Sequence, residues 1–349
     1  MSDERPACLV TNLVSTYREE PFRLLCEAED VDVIAWAHQG TAPRGVRLST
    51  PSQLGAARLA GSGRYRAVIC GMSGRVALPG SYLAARRART PFVLWATIWA
   101  HPRTPAHAVS WLPTRHIYRH ADAVATYGSH VSDYVAARRG RADDVFVATQ
   151  AASPAHLAPA RPAAAGDGRP YFLFAGRLER EKGVHTLLEA WKRADLGGEA
   201  QLVVAGQGPL RRALDDAGAG IVALGQVGQD ALPGLYAGAL ALVLPSIPTA
   251  SFREPWGLVT NEAMHQGTPV IASDSVGAVA GGLVKDGRNG LVFPAGDAGA
   301  LAARLLTLAR NPRLHEDLGR AARLDAEPYT AEAWVRGMRL ALAAVGQSR

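Results

Sequence analysis

The feature that most constrains this chain is an alternation that runs twice. Short apolar stretches alternate with longer mixed ones, pause, and begin again. In the first run the pattern predicts strands over 7–14, 31–36, 67–70, 92–97, 123–126 and 145–147. Helices are expected between them over 20–28, 81–89, 104–120 and 130–138. Residues 153–170, S-P-A-H-L-A-P-A-R-P-A-A-A-G-D-G-R-P, are rich in Pro, Ala and Gly and carry no amphipathic period, which reads as a linker. The second run predicts strands over 171–175, 201–205, 221–224, 241–245 and 270–273. Its helices fall over 184–194, 210–217, 232–239 and 259–265, followed by 298–310, 312–324 and 331–345. Strands of this length alternating with helices make βα units on a parallel sheet.

At 349 residues the chain exceeds what one hydrophobic core usually serves. The expectation is therefore an α/β chain of two doubly wound, Rossmann-like domains facing a central cleft. They are placed at 1–152 and 171–325, joined by the linker 153–170. A C-terminal helix within 326–349 is expected to pack back toward the first domain. Ligands of open α/β sheets bind outside the carboxyl ends of the strands, so the chemistry belongs in the βα loops.

Composition narrows the function classes. Apolar residues make up 48% and charged residues 20%, which suits two ordinary globular cores. No stretch approaches the roughly 20 apolar residues of a membrane helix. The start, M-S-D-E-R-P, is polar and lacks the basic flank and cleavage site of a signal peptide, so a cytoplasmic location is expected. Cys8, Cys26 and Cys70 are far apart, contain no C-x-x-C pair, and read as buried packing residues.

The net charge of +7 is uneven. Residues 1–160 hold 18 Arg against 12 acids, and eleven of those Arg lie between Arg66 and Arg141, with only Asp122 and Asp133 opposing them. Such a patch suits an anionic acceptor or peripheral contact with a membrane; a plain solvated surface is the favoured reading. No aromatic motif interleaves the basic residues, so nucleic acid is not an expected partner.

Three stretches carry chemistry. F-A-G-R-L-E-R-E-K-G, at 174–183, ends a strand and puts Arg177 and Lys182 on the loop before a helix, where two cations suit a diphosphate. A solvated charged loop, with Glu179 and Glu181 between them, explains the spacing as well. V-V-A-G-Q-G-P-L, at 203–210, lets the backbone at Gly206 and Gly208 approach a ligand, although glycines at βα turns are often turns alone. The strongest is S-F-R-E-P-W-G-L-V-T-N-E-A-M-H-Q-G-T-P-V-I-A-S-D, at 251–274. It places Glu254 before a helix beginning near Gly257 and Glu262 one or two turns inside it. The plainer reading of the pair is a helix-terminal acid and an unrelated surface Glu.

Taken in order, these stretches resemble the family-4 retaining glycosyltransferases of the GT-B fold. The resemblance rests on Gly176-Arg177-Leu178 with Lys182-Gly183, on Glu254 and Glu262 separated by seven residues, and on G-T-P-V-I-A at 267–272. G-L-V-F-P-A-G-D, at 290–297, is similar to the family's following segment. It is close from 171 to about 308 and loose in the first half.

The resemblance implies a role for each position. Arg177 and Lys182 neutralise the diphosphate of a nucleotide-sugar donor, so no metal or other cofactor is needed. Gly176 and Gly206 bring backbone to the donor, Glu254 holds the transferred sugar, and Trp256, Gly257 and Leu258 offer backbone to sugar and phosphate. Glu262 takes the ribose, and Val227 meets the base. In the first half His101, after the apolar run P-F-V-L-W-A-T-I-W-A, would contact the donor sugar. Tyr127 and Ser129 would lie near the cleft. The family's glycine-bearing first loop is replaced here by L-V-S-T-Y-R-E-E-P-F, at 13–22, so Tyr17, Arg18 and Glu19 are expected at the cleft in a loop specialised for the acceptor. Gln150 stands where the family often has Asn-Gly.

The implied activity is retaining transfer of a hexose or N-acetylhexosamine from a nucleotide-sugar, with UDP-sugar favoured, to a hydroxyl of a small molecule, natural product or glycan. A nucleotide-sugar enzyme of another reaction and a catalytically silent nucleotide-sugar-binding protein are the alternatives. With only Lys182, Lys192 and Lys285 present, a pyridoxal-bearing phosphorylase is disfavoured.

Overall fold

A computed structural model describes residues 4–196, 198–215 and 218–346. The chain divides into two compact units. One runs to Ser153 and takes up again at Tyr329; the other is Pro154–Pro328.

In the first unit β1 (Ala7–Thr11), α1 (Thr16–Glu29), β2 (Val31–Ala35), β3 (Arg47–Ser49), α2 (Gln53–Ala60), β4 (Val68–Gly71) and α3 (Ala77–Arg87) come first. β5 (Phe92–Ala96), α4 (Pro105–His120), β6 (Ala123–Thr126), α5 (Ser129–Arg139) and β7 (Val145–Val147) follow. All strands pair parallel, in the order β3-β2-β1-β4-β5-β6-β7. Both faces are covered. Along β1, Ala7 and Leu9 join one buried cluster while Cys8 and Val10 join the other, the period-two signature of a sheet between helices.

The second unit begins with α6 (Pro154–Leu157). It continues through β8 (Tyr171–Ala175), α7 (Val184–Ala194), β9 (Gln201–Ala205), β10 (Ile221–Gly225), α8 (Leu232–Gly238), β11 (Ala241–Leu244) and α9 (Val259–His265). β12 (Val270–Ser273), α10 (Gly277–Ala280), β13 (Gly290–Phe293), α11 (Ala298–Ala309) and α12 (Pro312–Ala326) complete it. Its strand order, β10-β9-β8-β11-β12-β13, repeats the pattern of the first sheet. In each sheet the order reverses beside the first strand, between β1 and β4 and between β8 and β11.

Local signals explain the helices. α7 buries Val184, Leu187, Leu188, Trp191 and Ala194, one stripe at helical spacing. Asp297 and Asn311 cap α11 and α12 by accepting from the N–H groups of Ala300 and Leu314, and Pro312 opens α12. The last helix, α13 (Ala331–Gly346), lies on the first sheet. Trp334 and Met338 are fully buried there, Trp334 packs 5.6 Å from Phe22 of α1, and Arg339 pairs with Glu29 at 2.7 Å.

Several expectations need correction. The first strand ends at Thr11, and α1 begins four residues before the predicted 20, because Pro21 sits inside the helix and does not open it. The sheet gains β3 and α2, which the pattern did not reveal. The helix expected over 210–217 is a 3₁₀ turn, Arg211–Leu214, and residues 216–217 lie outside the described residues. Residues 153–170, read as a linker, hold a helical turn and lie along the second unit: the N–H of Ala160 bonds Gln266, that of Ala163 bonds the Gly234 carbonyl, and Ala165 is buried. Cys8 and Cys70 are buried, but Cys26 is only half-buried, and all three are free thiols. The ends of the chain, 1–3 and 347–349, lie outside the described residues. Among the described residues no helix is long and apolar enough to cross a membrane.

Candidate functional site

In the second unit the loops leaving β8, β9 and β10 are laced together at the carboxyl edge. Gly176 N–H donates to the Ala205 carbonyl, Leu178 N–H to Gln207, and Gly206 N–H to Gly225. Gly206 has a left-handed φ of 157°, and a Cβ there would stand 1.8 Å from the Gly176 carbonyl oxygen, so only glycine allows this approach. Val227, two residues past the end of β10, is half-exposed on the neighbouring loop.

Leu178 is buried and anchors the β8 loop, while Arg177 beside it points outward with its side chain 61% exposed. Its guanidinium pairs with Glu179 at 2.7 Å and reaches Glu181 at 3.9 Å. The two neighbouring carboxyls shift each other in opposite senses, Glu179 upward and Glu181 downward from their ordinary value. A 3₁₀ turn, Arg180–Lys182, then ends at Gly183, whose φ is +72°. A Cβ on Gly183 would lie 1.8 Å from the Pro245 carbonyl oxygen, and the Ile247 N–H donates to Glu181 O at 2.9 Å. The turn is thus pressed against the chain leaving β11.

That contact brings Lys182 to Glu254, 72 residues further along the sequence. Lys182 Nζ donates to Glu254 Oε2 at 2.6 Å, and Ser246 Oγ donates to the same oxygen at 2.9 Å. Both side chains are largely buried, at 16% and 7% exposure, and the ammonium lies 5.2 Å from the Phe252 ring centroid. A buried carboxylate needs such partners, because desolvation disfavours its charge.

Glu254 and Trp256 are held by α10: their carbonyls accept from Gly277 and Ala278. The Trp256 ring is buried and donates from Nε1 to Asn261 Oδ1 at 2.7 Å, so only its backbone is offered at the edge. Gly257, with φ +90°, and Leu258 lead into α9. Glu262, on α9, is buried and clasped. Tyr236 O–H donates to its Oε2 at 2.7 Å, and His156 Nε2 stands 3.9 Å away. Burial first, and then the Glu262 charge, push the Tyr236 phenol well above its ordinary range, so it remains a protonated donor.

The structure therefore brings together Gly176 with Gly206, and Lys182 with Glu254, around the switch point between β8 and β11. Glu262 has its own partners. Ser246, Tyr236 and His156 were not picked out from the sequence. Ser246 follows a strand end, and His156 falls in the segment read as a linker. His101 belongs to the first unit, where Nε2 lies 2.9 Å from the His107 carbonyl oxygen and the ring packs 4.7 Å from Trp111. Among the described residues no three His, Cys, Asp or Glu side chains are grouped to hold a metal.

The family model for glycosyl transferases group 1 matches residues 160–325. An alpha-D-kanosaminyltransferase from Streptomyces kanamyceticus is 32% identical over 180 residues, 48% of this chain and 44% of that protein. A phosphatidyl-myo-inositol mannosyltransferase from Mycobacterium leprae is 37% identical over 150 residues, 41% and 38% of the two chains. The chain thus spans less than half the length of these curated relatives. Among solved structures, Anabaena HepE in complex with UDP and glucose superposes with a TM-score of 0.74 at 18% identity, over 97% of this chain and all of that one. WaaG, a glycosyltransferase involved in lipopolysaccharide biosynthesis, gives 0.66 at 14%, over 93% and 97%. Residues 160–325 match the family of glycosyl transferases group 1, and the chain has the GT-B fold of these solved structures.

Proposed function

We propose that this chain transfers a hexose or N-acetylhexosamine, with retention and without a metal, from a nucleoside-diphosphate sugar to an acceptor hydroxyl. The observation that carries the reading is the buried Lys182–Glu254 pair at the switch point of the second sheet, inside the segment that matches the glycosyltransferase family. A UDP-sugar is the favoured donor, and the UDP in the HepE complex supports that choice. The acceptor is a small molecule, natural product or glycan, and the cytoplasmic location expected from the sequence belongs to the same proposal.

In this reading the acceptor hydroxyl attacks the anomeric carbon from the face that the diphosphate leaves. The C–O bond to the diphosphate breaks, the new glycosidic bond forms, and the hydroxyl proton passes to the departing phosphate oxygen. Lys182 and Arg177 stabilise the charge that grows on that phosphate. Glu254 accepts hydrogen bonds from the transferred sugar. Glu262 takes the ribose through Oε1, since its Oε2 is engaged by Tyr236. Val227 meets the base through its backbone, and the backbone at 256–258 meets sugar and phosphate.

The test is a thermal-shift panel of UDP, GDP, dTDP and ADP with their common sugars, with and without EDTA. A ligand at 100 times its Kd stabilises by about 2.7 kcal/mol. A shift with one nucleotide, unchanged by EDTA, is expected. No shift with any nucleotide overturns the donor reading, and a shift abolished by EDTA overturns metal independence.

A further inference from the structure

The first unit holds a buried cation that no carboxylate among the described residues pairs with. Arg18, in the first turn of α1, is 4% exposed. Its guanidinium donates once, from Nη2 to Tyr127 Oη at 2.8 Å, and otherwise lies among ring faces: Trp95 at 4.6 Å, Tyr17 at 5.0 Å, Tyr127 at 5.4 Å and Trp334 at 5.8 Å. Among the described residues it forms no ion pair; the nearby Glu20 is taken by Arg23 at 2.6 Å. A buried guanidinium is normally paired, and aromatic faces offset only part of its lost hydration.

Arg18 lines a cavity of about 140 Å³ at the carboxyl ends of β1, β4 and β5, the switch point of the first sheet. Hydroxyl and amide groups from Thr11, Asn12, Ser15, Ser73 and Thr97 share the wall, and none of the lining residues is acidic. Two further observations favour a negative occupant. A cation in the first turn opposes the helix dipole, which makes Arg18 poorly placed for stabilising α1. Ser15, the residue before that helix, lines the same cavity and makes no side-chain cap; its carbonyl takes the Arg18 N–H at 2.7 Å, and the N–H groups of Thr16 and Tyr17 receive no cap from its hydroxyl.

We infer that this cavity binds an anionic oxygen group, a carboxylate or a phosphate, carried by the acceptor, with Arg18 as its specificity-determining residue. Assigning the group to the acceptor rests on the glycosyltransferase reading; the anion site itself rests on the first unit alone. The guanidinium fork supplies donors beyond the one used on Tyr127, the α1 N-terminus supplies more, and the hydroxyls orient the rest of the ligand. Four rings within 6 Å already enclose the fork, so little side-chain freedom is lost on binding.

The experiment titrates the full chain with glucose 6-phosphate, glucuronate and uncharged glucose at one ionic strength, reading affinity by calorimetry and thermal stability in parallel. Wild type is expected to bind at least one of the two anions saturably and at least tenfold tighter than glucose. Which anion wins distinguishes phosphate from carboxylate. Arg18→Met keeps the apolar stem and removes the charge. It is expected to lose that preference while its unliganded melting temperature stays equal to wild type or rises, because an uncompensated buried charge is gone. Arg18→Lys, which keeps the charge without the fork, is expected to bind several-fold more weakly than wild type. Equal binding of glucose and both anions by wild type overturns the inference, as does an Arg18→Met or Arg18→Lys chain that binds the anion as wild type does. UDP titrated into wild type separates the two ideas: a UDP shift without anion preference removes this inference alone, and anion preference without a nucleotide shift removes the donor reading alone.

Discussion

Removing Lys182 while leaving Glu254 is the sharpest perturbation the second unit offers. Glu254 Oε2 accepts from Lys182 Nζ at 2.6 Å and from Ser246 Oγ at 2.9 Å, and its side chain is 7% exposed. Lys182→Met keeps most of the side-chain volume and removes the charged donor from that buried oxygen. Breaking a buried pair from one side costs about 3–5 kcal/mol, far above the 0–1 kcal/mol of an exposed pair. Glu254→Gln alone strands the ammonium, which is 16% exposed and reaches water more easily, so a smaller loss, about 1–3 kcal/mol, is expected. With both changes no buried charge is left over, and the double variant is expected to be more stable than Lys182→Met alone, with a coupling of roughly 2–3 kcal/mol. Hydrogen exchange of peptides from β8 and β9, without nucleotide, reads the stability of this unit. Additive losses, or a Lys182→Met chain as stable as wild type, refute the claim that the two side chains depend on each other.

Gly183→Ala is expected to destabilise the second unit by more than about 2 kcal/mol. The left-handed conformation alone costs about 1–2 kcal/mol for a side-chain residue, and the added Cβ meets the Pro245 carbonyl at 1.8 Å; urea denaturation checks this. Tyr236→Phe removes the O–H that Glu262 accepts and is expected to cost about 1.5–3 kcal/mol in the same assay, with an unchanged midpoint ruling out the clasp. Alkaline pH is expected to unfold the chain early. Burial pushes the Tyr171 phenol and the Cys70 thiol each up to about 12, above their ordinary values of 10.0 and 9.0. The folded state therefore keeps protons that the unfolded state has released. Stability is full below about pH 9 and falls as pH rises toward 12, which denaturation midpoints across that range measure.

The parts of the fold that were legible are those whose burial is two-sided. β8 and β11 are unbroken apolar runs, and β9 and β12 are apolar but for Gln201 and Ser273 at one end, because helices cover both faces; α7 shows its stripe in five residues. β3 is Arg-Leu-Ser at a sheet edge, with Arg47 and Ser49 exposed and only Leu48 half-buried, so three residues give no hydrophobic period to mark it. The stretch after Pro209 looks helical in composition but closes only a 3₁₀ turn. At the candidate site the motifs announced Lys182 and Glu254 separately. Their contact depends on Gly183 letting one loop press against another, which no local spacing encodes. Glu262 read as an acid open to a ligand, whereas Tyr236, which engages it, lies 26 residues earlier on another helix. Arg18 was visible as a departure in the first loop, but its enclosure by Trp95, Tyr127 and Trp334 draws on three remote segments.

The first unit is assembled from both ends of the chain, and this orders events on the ribosome. Residues 154–328 form a continuous stretch that holds all of its own core, so that unit can close as soon as it has emerged. The sheet that emerges first cannot. Its face toward α1 waits for Trp334, Met338 and Leu342, and until they arrive Phe22 and Trp95 lack neighbours that they have in the finished protein. The part synthesised earliest is thus the last to be completed, and a nascent chain exposes an apolar sheet face throughout the synthesis of the second unit. A stop codon near residue 329 would spare the second unit and cripple the one that ends more than 170 residues upstream.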